Sequence, residues 1–131
     1  MKYEQVNDTL LIEFPNFIFD EEERLLYVSE DSQGQYWVAN RFVEFLRDCY
    51  AKGDIATYKN GLSFIEKLHL SRCRKTQELA TIGYLEGFLD WENKDKLIDD
   101  FESESKKWWI ELNRFWHGLV PYVGATFAST K

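Results

Sequence analysis

Three short strings in this chain share one pattern: Phe42-Val43-Glu44-Phe45-Leu46, Phe64-Ile65-Glu66-Lys67-Leu68 and Tyr84-Leu85-Glu86-Gly87-Phe88. Each runs aromatic, aliphatic, Glu, any residue, large apolar. Their first residues lie 22 and then 20 positions apart, a span that fits one helix and a short turn. A chain built on that spacing folds as an all-α antiparallel helical bundle or a short stack of helical hairpins, with five to six helices. The strings are too degenerate to assign a named repeat. A length of 131 residues fits a single helical domain over 1–131, large enough to bury a core without disulfide or metal staples.

The periodicity extends beyond the strings. Leu10, Leu11 and Phe14 share one face of an opening helix from about Tyr3 to Glu13, stopped by Pro15. Asp20-Glu21-Glu22-Glu23 reads as an N-cap and negative first turn of a short helix reaching Tyr27. Ser29 to Gln35, with Gly34, reads as a polar loop. Val38, Phe42, Phe45, Leu46 and Cys49 then form the stripe of a helix from Trp37 to Ala51. Gly53 is placed as its C′ residue and Asp54 as the cap of the next helix. That helix carries Ile55, Tyr58, Leu62, Ile65 and Leu68 and ends near His69. Leu79, Ile82, Leu85 and Leu89 mark a third, from Lys75 to Trp91. Leu97, Phe101, Trp108, Leu112 and Phe115 mark a fourth, unbroken from Asn93 or Lys94 to Trp116 and ended by Gly118 and Pro121. The tail from Tyr122 to Lys131 reads as extended or loose.

Charge bears on partners. The formal net charge is −7, which disfavours nucleic acid and a membrane surface and favours a basic protein partner. The acidity is blocked. Residues 1–36 carry net −7 and residues 89–104 net −5, whereas 37–88 carry net +2 and 105–131 net +3. Two acidic blocks can form one binding face or two ordinary solvated surfaces. Aromatic residues make up 17% of the chain, with five Trp, seven Tyr and ten Phe. They either fill gaps between short helices or supply interface anchors. The adjacent Trp108 and Trp109 cannot share one core slot, because neighbouring helical positions point about 100° apart. The two cysteines, Cys49 and Cys73, form no C-x-x-C motif. With no basic-then-apolar leader visible, a reducing cytoplasm is the expected compartment.

No catalytic set is complete, so no enzyme is expected. Glu66-Lys67-Leu68-His69 has the Glu-x-x-His spacing of di-metal bundles, but the other histidine, His117, has Arg114 three residues before it. His69 and Cys73 lack further zinc ligands, so neither a metal nor any other cofactor is expected. His69 is placed at a helix C-terminus, where it meets the dipole. Cys49 with His69 could pair as nucleophile and base, but Cys49 falls on an apolar stripe and reads as core. Glu44, Glu66 and Glu86 stand at the same stripe edge. They read as residues that pair with a base or cap a neighbouring helix end. Phosphate-loop and serine-hydrolase motifs are absent from the sequence.

The segment from Phe42 to Trp91 carries Phe42-Val43-Glu44-Phe45-Leu46, Ala51-Lys52-Gly53-Asp54, Leu62-Ser63-Phe64-Ile65-Glu66 and Ile82-Gly83-Tyr84-Leu85-Glu86. Over this middle part of the chain it resembles a group of small bacterial helical proteins often found as immunity proteins to polymorphic or contact-dependent toxins. The resemblance implies an all-α cytoplasmic protein that binds and neutralises one cognate toxin domain. It brings no functional residues with it.

The acidic blocks suit that role independently, because an acidic inhibitor can cover the substrate cleft of a basic nuclease. The expected contacts are Asp90, Trp91, Glu92, Asp95, Asp99, Asp100, Glu102 and Glu104, helped by Asp20, Glu21, Glu22 and Glu23. A helical adaptor or regulatory module with a different cellular partner is the alternative.

Overall fold

A computed structural model describes residues 1–18 and 33–116. Among these, six α-helices occur and no strand: α1 (Val6–Glu13), α2 (Gln33–Lys52), α3 (Ile55–His69), α4 (Arg74–Glu78), α5 (Leu97–Asp100) and α6 (Ser103–Trp116). A 3-10 turn, Tyr3–Gln5, leads into α1, and another, Lys94–Lys96, leads into α5. The all-α class follows as expected. The expected helix from Asp20 to Tyr27, the end of the fourth helix at Gly118 and Pro121, and the tail from Tyr122 lie outside the described residues.

Local chemistry sets the hinge between α2 and α3. Gly53 has φ +87°, a conformation that costs glycine nothing. Its N–H donates to the Tyr50 carbonyl at 3.1 Å, and the Asp54 N–H donates to Cys49 at 2.8 Å. These two bonds close α2 in a Schellman motif. Asp54 then accepts from the Thr57 N–H at 3.2 Å and caps α3. The helix α2 begins earlier than the sequence suggests: Gly34 and Gln35, expected in a polar loop, lie in its first turns, with Gly34 buried.

The third helix departs from a regular α-helix. From α4 the chain passes without a break into a π-helical stretch, Leu79–Tyr84, and a 3-10 turn, Leu85–Phe88. The wider π turn re-phases the side chains. The buried set becomes Leu79, Ala80, Thr81, Tyr84, Leu85 and Phe88, and the expected Ile82 and Leu89 are only partly buried. This stretch packs along α2 and across α3. Small residues permit the close approach: a Cβ on Gly87 would lie 2.9 Å from Val43 Cγ1, and one on Gly61 would overlap the Leu46 side chain.

The expected single fourth helix is in fact broken. Phe101 is extended, at φ −70° and ψ 145°, and α6 starts afresh at Ser103. In α6 the buried face runs Ser105, Trp109 and Leu112, so Trp109 is the buried member of the tryptophan pair and Trp108, expected in the stripe, is half-buried. Ile55, expected in the α3 stripe, is 39% exposed at the first residue of that helix.

The aromatic excess fills the interior. Phe14 and Phe17 from the α1 end meet Phe42 edge-on at 4.9 and 5.2 Å, and Phe42 meets Tyr84 at 6.1 Å. A second group links Tyr50, Tyr58, Phe88 and Trp91, and Phe101 joins Phe88 to Trp109. Offset and edge-to-face pairs of this kind add about 0.5–1.5 kcal/mol each beyond burial. Among the described residues of assigned exposure, no aromatic side chain is exposed. The exposed large apolar residues are aliphatic: Ile12, Ile18, Ile55, Leu70, Ile98 and Ile110.

Candidate protein-binding surface

The segment from Asp90 to Glu104 is short of regular helix, yet it is fixed at several points. Trp91, Leu97 and Phe101 are buried and hold it to the core. At one end Arg47 donates to the Gly87 carbonyl at 3.1 Å and to Asp90 at 2.9 Å. In the middle, Tyr58 donates its hydroxyl proton to Asp100 at 2.8 Å, and Lys96 pairs with the same carboxylate at 3.2 Å. The Lys96 ammonium also sits 4.3 Å from the centre of the Tyr50 ring. Burial lifts the Tyr58 phenol well above its usual range, and Asp100 adds to the effect. For Lys96 the slight burial opposes its charge, but Tyr50 and Asp100 outweigh it and raise its pKa. At the far end the α6 N-terminus is clamped by α3, through the contacts described below.

Between these fixed points the carboxylates divide. Glu92, Asp95, Asp99 and Glu102 are exposed, and Asp90, though paired with Arg47, is 84% exposed. Ile98 lies among them at 39% exposure. Asp100 is committed to Tyr58 and Lys96, and Glu104 is half-buried. Trp91 corrects the expectation of a surface anchor. It is 5% exposed, held between Tyr50, Tyr58 and Phe88, because its neighbours need a large ring to close the core. The surface is therefore acidic and aliphatic, with its aromatic rings behind it. Asp20, Glu21, Glu22 and Glu23 lie outside the described residues.

A buried polar node forms the base of this surface. Glu66, 5% exposed on α3, accepts from the backbone N–H of Glu104 at 3.1 Å and of Ser105 at 2.8 Å. Those are donors of the first turn of α6, which have no intrahelical partners. A side chain from another helix thus caps α6, one of the two structural roles expected for the stripe-edge glutamates. Glu44 takes the other, pairing with Arg41 at 2.9 Å. Glu86 is half-buried, and burial raises its pKa.

His69 lies one turn from Glu66 and contacts the same place. Its Nδ1 is 2.9 Å from Ser105 Oγ and its Nε2 is 3.0 Å from Thr81 Oγ1. Thr81 is carried inward by the π stretch and turns its hydroxyl proton toward the Gln77 carbonyl, 3.5 Å away. The bonds close if His69 donates from Nε2 to Thr81 and accepts at Nδ1 from the Ser105 hydroxyl. Burial pulls the imidazole pKa down to about 4, and the charge of Glu66 only partly opposes this. His69 therefore sits neutral inside the protein rather than charged at a helix end.

A hydroxyl beside an imidazole is also the geometry of a nucleophile and its base. Ser105 and Thr81 are both fully buried, so no substrate reaches them. Ser105 was missed in the sequence, although it stands four residues after Phe101 and four before Trp109. A polar residue at an apolar stripe position was the available signal. Cys49 is buried, as its stripe position implied, and burial raises its pKa. Among the described residues no group of three or more His, Cys, Asp or Glu gathers in a metal-holding arrangement, and no helix is long and apolar enough to cross a membrane.

Together these features define an all-helical domain with a fixed acidic segment and a buried polar clamp. The chain belongs to the family described as a domain of unknown function, DUF7674, whose pattern it matches over residues 7–117. No curated protein and no solved structure matches it.

Proposed function

We propose that this protein is a cytoplasmic binding protein that neutralises a cognate bacterial toxin domain by covering a basic face of it. One observation carries the reading: Glu92, Asp95, Ile98, Asp99 and Glu102 stand exposed on a segment held by the buried Trp91 at one end and by the buried Glu66–Ser105 bond at the other. A preorganised segment loses little conformational entropy on docking. Its carboxylates steer a basic partner, and its exposed aliphatic side chain supplies the apolar contact that charges alone do not. The resemblance of the middle of the chain to immunity proteins makes a toxin domain the partner of choice, and a basic nuclease fits the charge.

The test is protection in cells. A toxin domain encoded beside this gene, where the neighbouring reading frame supplies one, is expressed with either the natural protein or a variant carrying Asp95→Lys, Asp99→Lys and Glu102→Lys. Growth rescued by the natural protein and lost with the variant, at equal soluble levels, is the expected result. Rescue by both would remove the electrostatic surface from the proposal. Rescue by neither would move the protein to the alternative class, an adaptor for a different cellular partner.

A further inference from the structure

The α6 helix is held at its first turn by two ionisable side chains of α3, Glu66 and His69. Around the His69 ring stand Glu66 and the Ile65 carbonyl from its own helix, Ser105 from α6, and Thr81 from the π stretch, with Gln77 behind it. Among the described residues, Glu66 is the charged side chain that bears on the ring. Its carboxylate is already engaged with two backbone N–H groups of α6. The side-chain partners of the ring are both hydroxyls, Ser105 and Thr81, and the Ile65 carbonyl and the Glu66 charge do not offset the cost of burying a charged ring.

We propose that Glu66 and His69 form an acid-sensitive latch: protonation of His69 releases the N-terminal turns of α6 from α3 while the α2–α3 core stays folded. A second ring proton makes Nδ1 a donor and removes the acceptor that Ser105 uses. It also places a positive charge where water does not reach, which is costly unless the site opens. Opening at α6 is the smallest movement that wets the ring, because Ser105 at the start of α6 is one of its two cross-helix hydrogen-bond partners and the other, Thr81, lies in the stretch packed along α2. The neutral form is favoured while the latch is shut, since burial holds the ring at about 4 against its ordinary 6.5. The opening equilibrium therefore grows as pH falls through that window, by roughly 40-fold between about pH 6.5 and about pH 4.5. This inference stands apart from the toxin-binding proposal and needs no partner to be tested.

The experiment uses the whole chain. Amide exchange is followed residue by residue from about pH 7 to about pH 4.5, corrected for the intrinsic pH dependence of exchange, and the His69 ring nitrogens are titrated by NMR. The expected result is an Nε2–H tautomer with a low titration midpoint. Amides of 103–109 should lose about 40-fold protection in the same range, while those of 42–49 and 58–65 keep theirs. A midpoint near 6.5, an α6 whose protection is flat with pH, or loss of protection everywhere at once would each overturn the latch. In a His69→Gln variant the selective loss in α6 should vanish, and its persistence would also overturn the proposal. If that variant does not fold, the measurements on the natural chain decide alone.

Discussion

Replacing Glu66 tests whether α6 depends on a cap supplied by another helix. The carboxylate holds two backbone donors, at 3.1 and 2.8 Å, and the residue is 5% exposed. Removing a partner from a buried donor costs about 1–3 kcal/mol, and bonds to a charged group lie at the upper end. Ser105 sits deep and would suffer most of this penalty, whereas Glu104 is half-buried and its N–H can recruit water. The carboxylate itself is costly to bury, which offsets part of the loss. A net destabilisation of about 2–3 kcal/mol is therefore expected for Glu66→Ala. For Glu66→Gln it should be about 1–2 kcal/mol, since the amide oxygen can accept from one donor but its NH2 group faces the other. Urea unfolding followed by far-UV circular dichroism reads both. With m of about 1–3 kcal/mol/M, the Ala variant should lower the midpoint by about 1 M or more. A loss below about 0.5 kcal/mol for Glu66→Ala would show that α6 starts at Ser103 for some other reason.

Four further outcomes follow from the same geometry. Gly87→Ala should destabilise by about 1–2 kcal/mol in a thermal melt, because its Cβ would meet the stiff, buried Val43 at 2.9 Å and overpacking outweighs the gain in helix propensity. Asp54→Ala should cost about 1 kcal/mol by removing the α3 cap, read by urea unfolding. Trp109→Ala should cost about 3–5 kcal/mol and Trp108→Ala less than half as much, and equal costs would contradict the placement of Trp109 inside and Trp108 at the boundary. His69 has a depressed folded pKa, so its contribution is fully present above the unfolded value of 6.5 and is lost as pH falls through about 4. The natural protein should therefore lose about 3 kcal/mol of stability across that window relative to His69→Gln, measured as the difference between their urea-stability profiles over pH.

The features that local chemistry decides were legible in the sequence. Gly53 and Asp54 close one helix and open the next through bonds within a few residues of themselves, and α3 ended at His69 as its periodicity implied. The Glu66 position was legible in kind, because a stripe-edge glutamate has few other uses. Two features escaped because tertiary contacts decide them. Nothing between Asp99 and Ser105 is a glycine or proline. The break there satisfies Tyr58 through Asp100, Phe88 through Phe101, and the first turn of α6 through Glu66. The π turn at Leu79–Tyr84 is likewise a response to packing. It brings Thr81 to His69 while Tyr84 stays against Phe42, two demands that a regular helix of 3.6 residues per turn meets less well. Trp91 was misplaced at the surface because its position at the expected end of a helix concealed the aromatic cluster it closes.

Isothermal titration of this protein with the purified domain encoded immediately upstream, at low and at moderate salt, tests the proposed function most directly. A tight one-to-one complex that weakens strongly as salt rises is the expected result, because exposed carboxylates act through a field that ions screen. The absence of binding at both salts would contradict toxin neutralisation. A complex indifferent to salt would contradict the acidic segment as its docking surface.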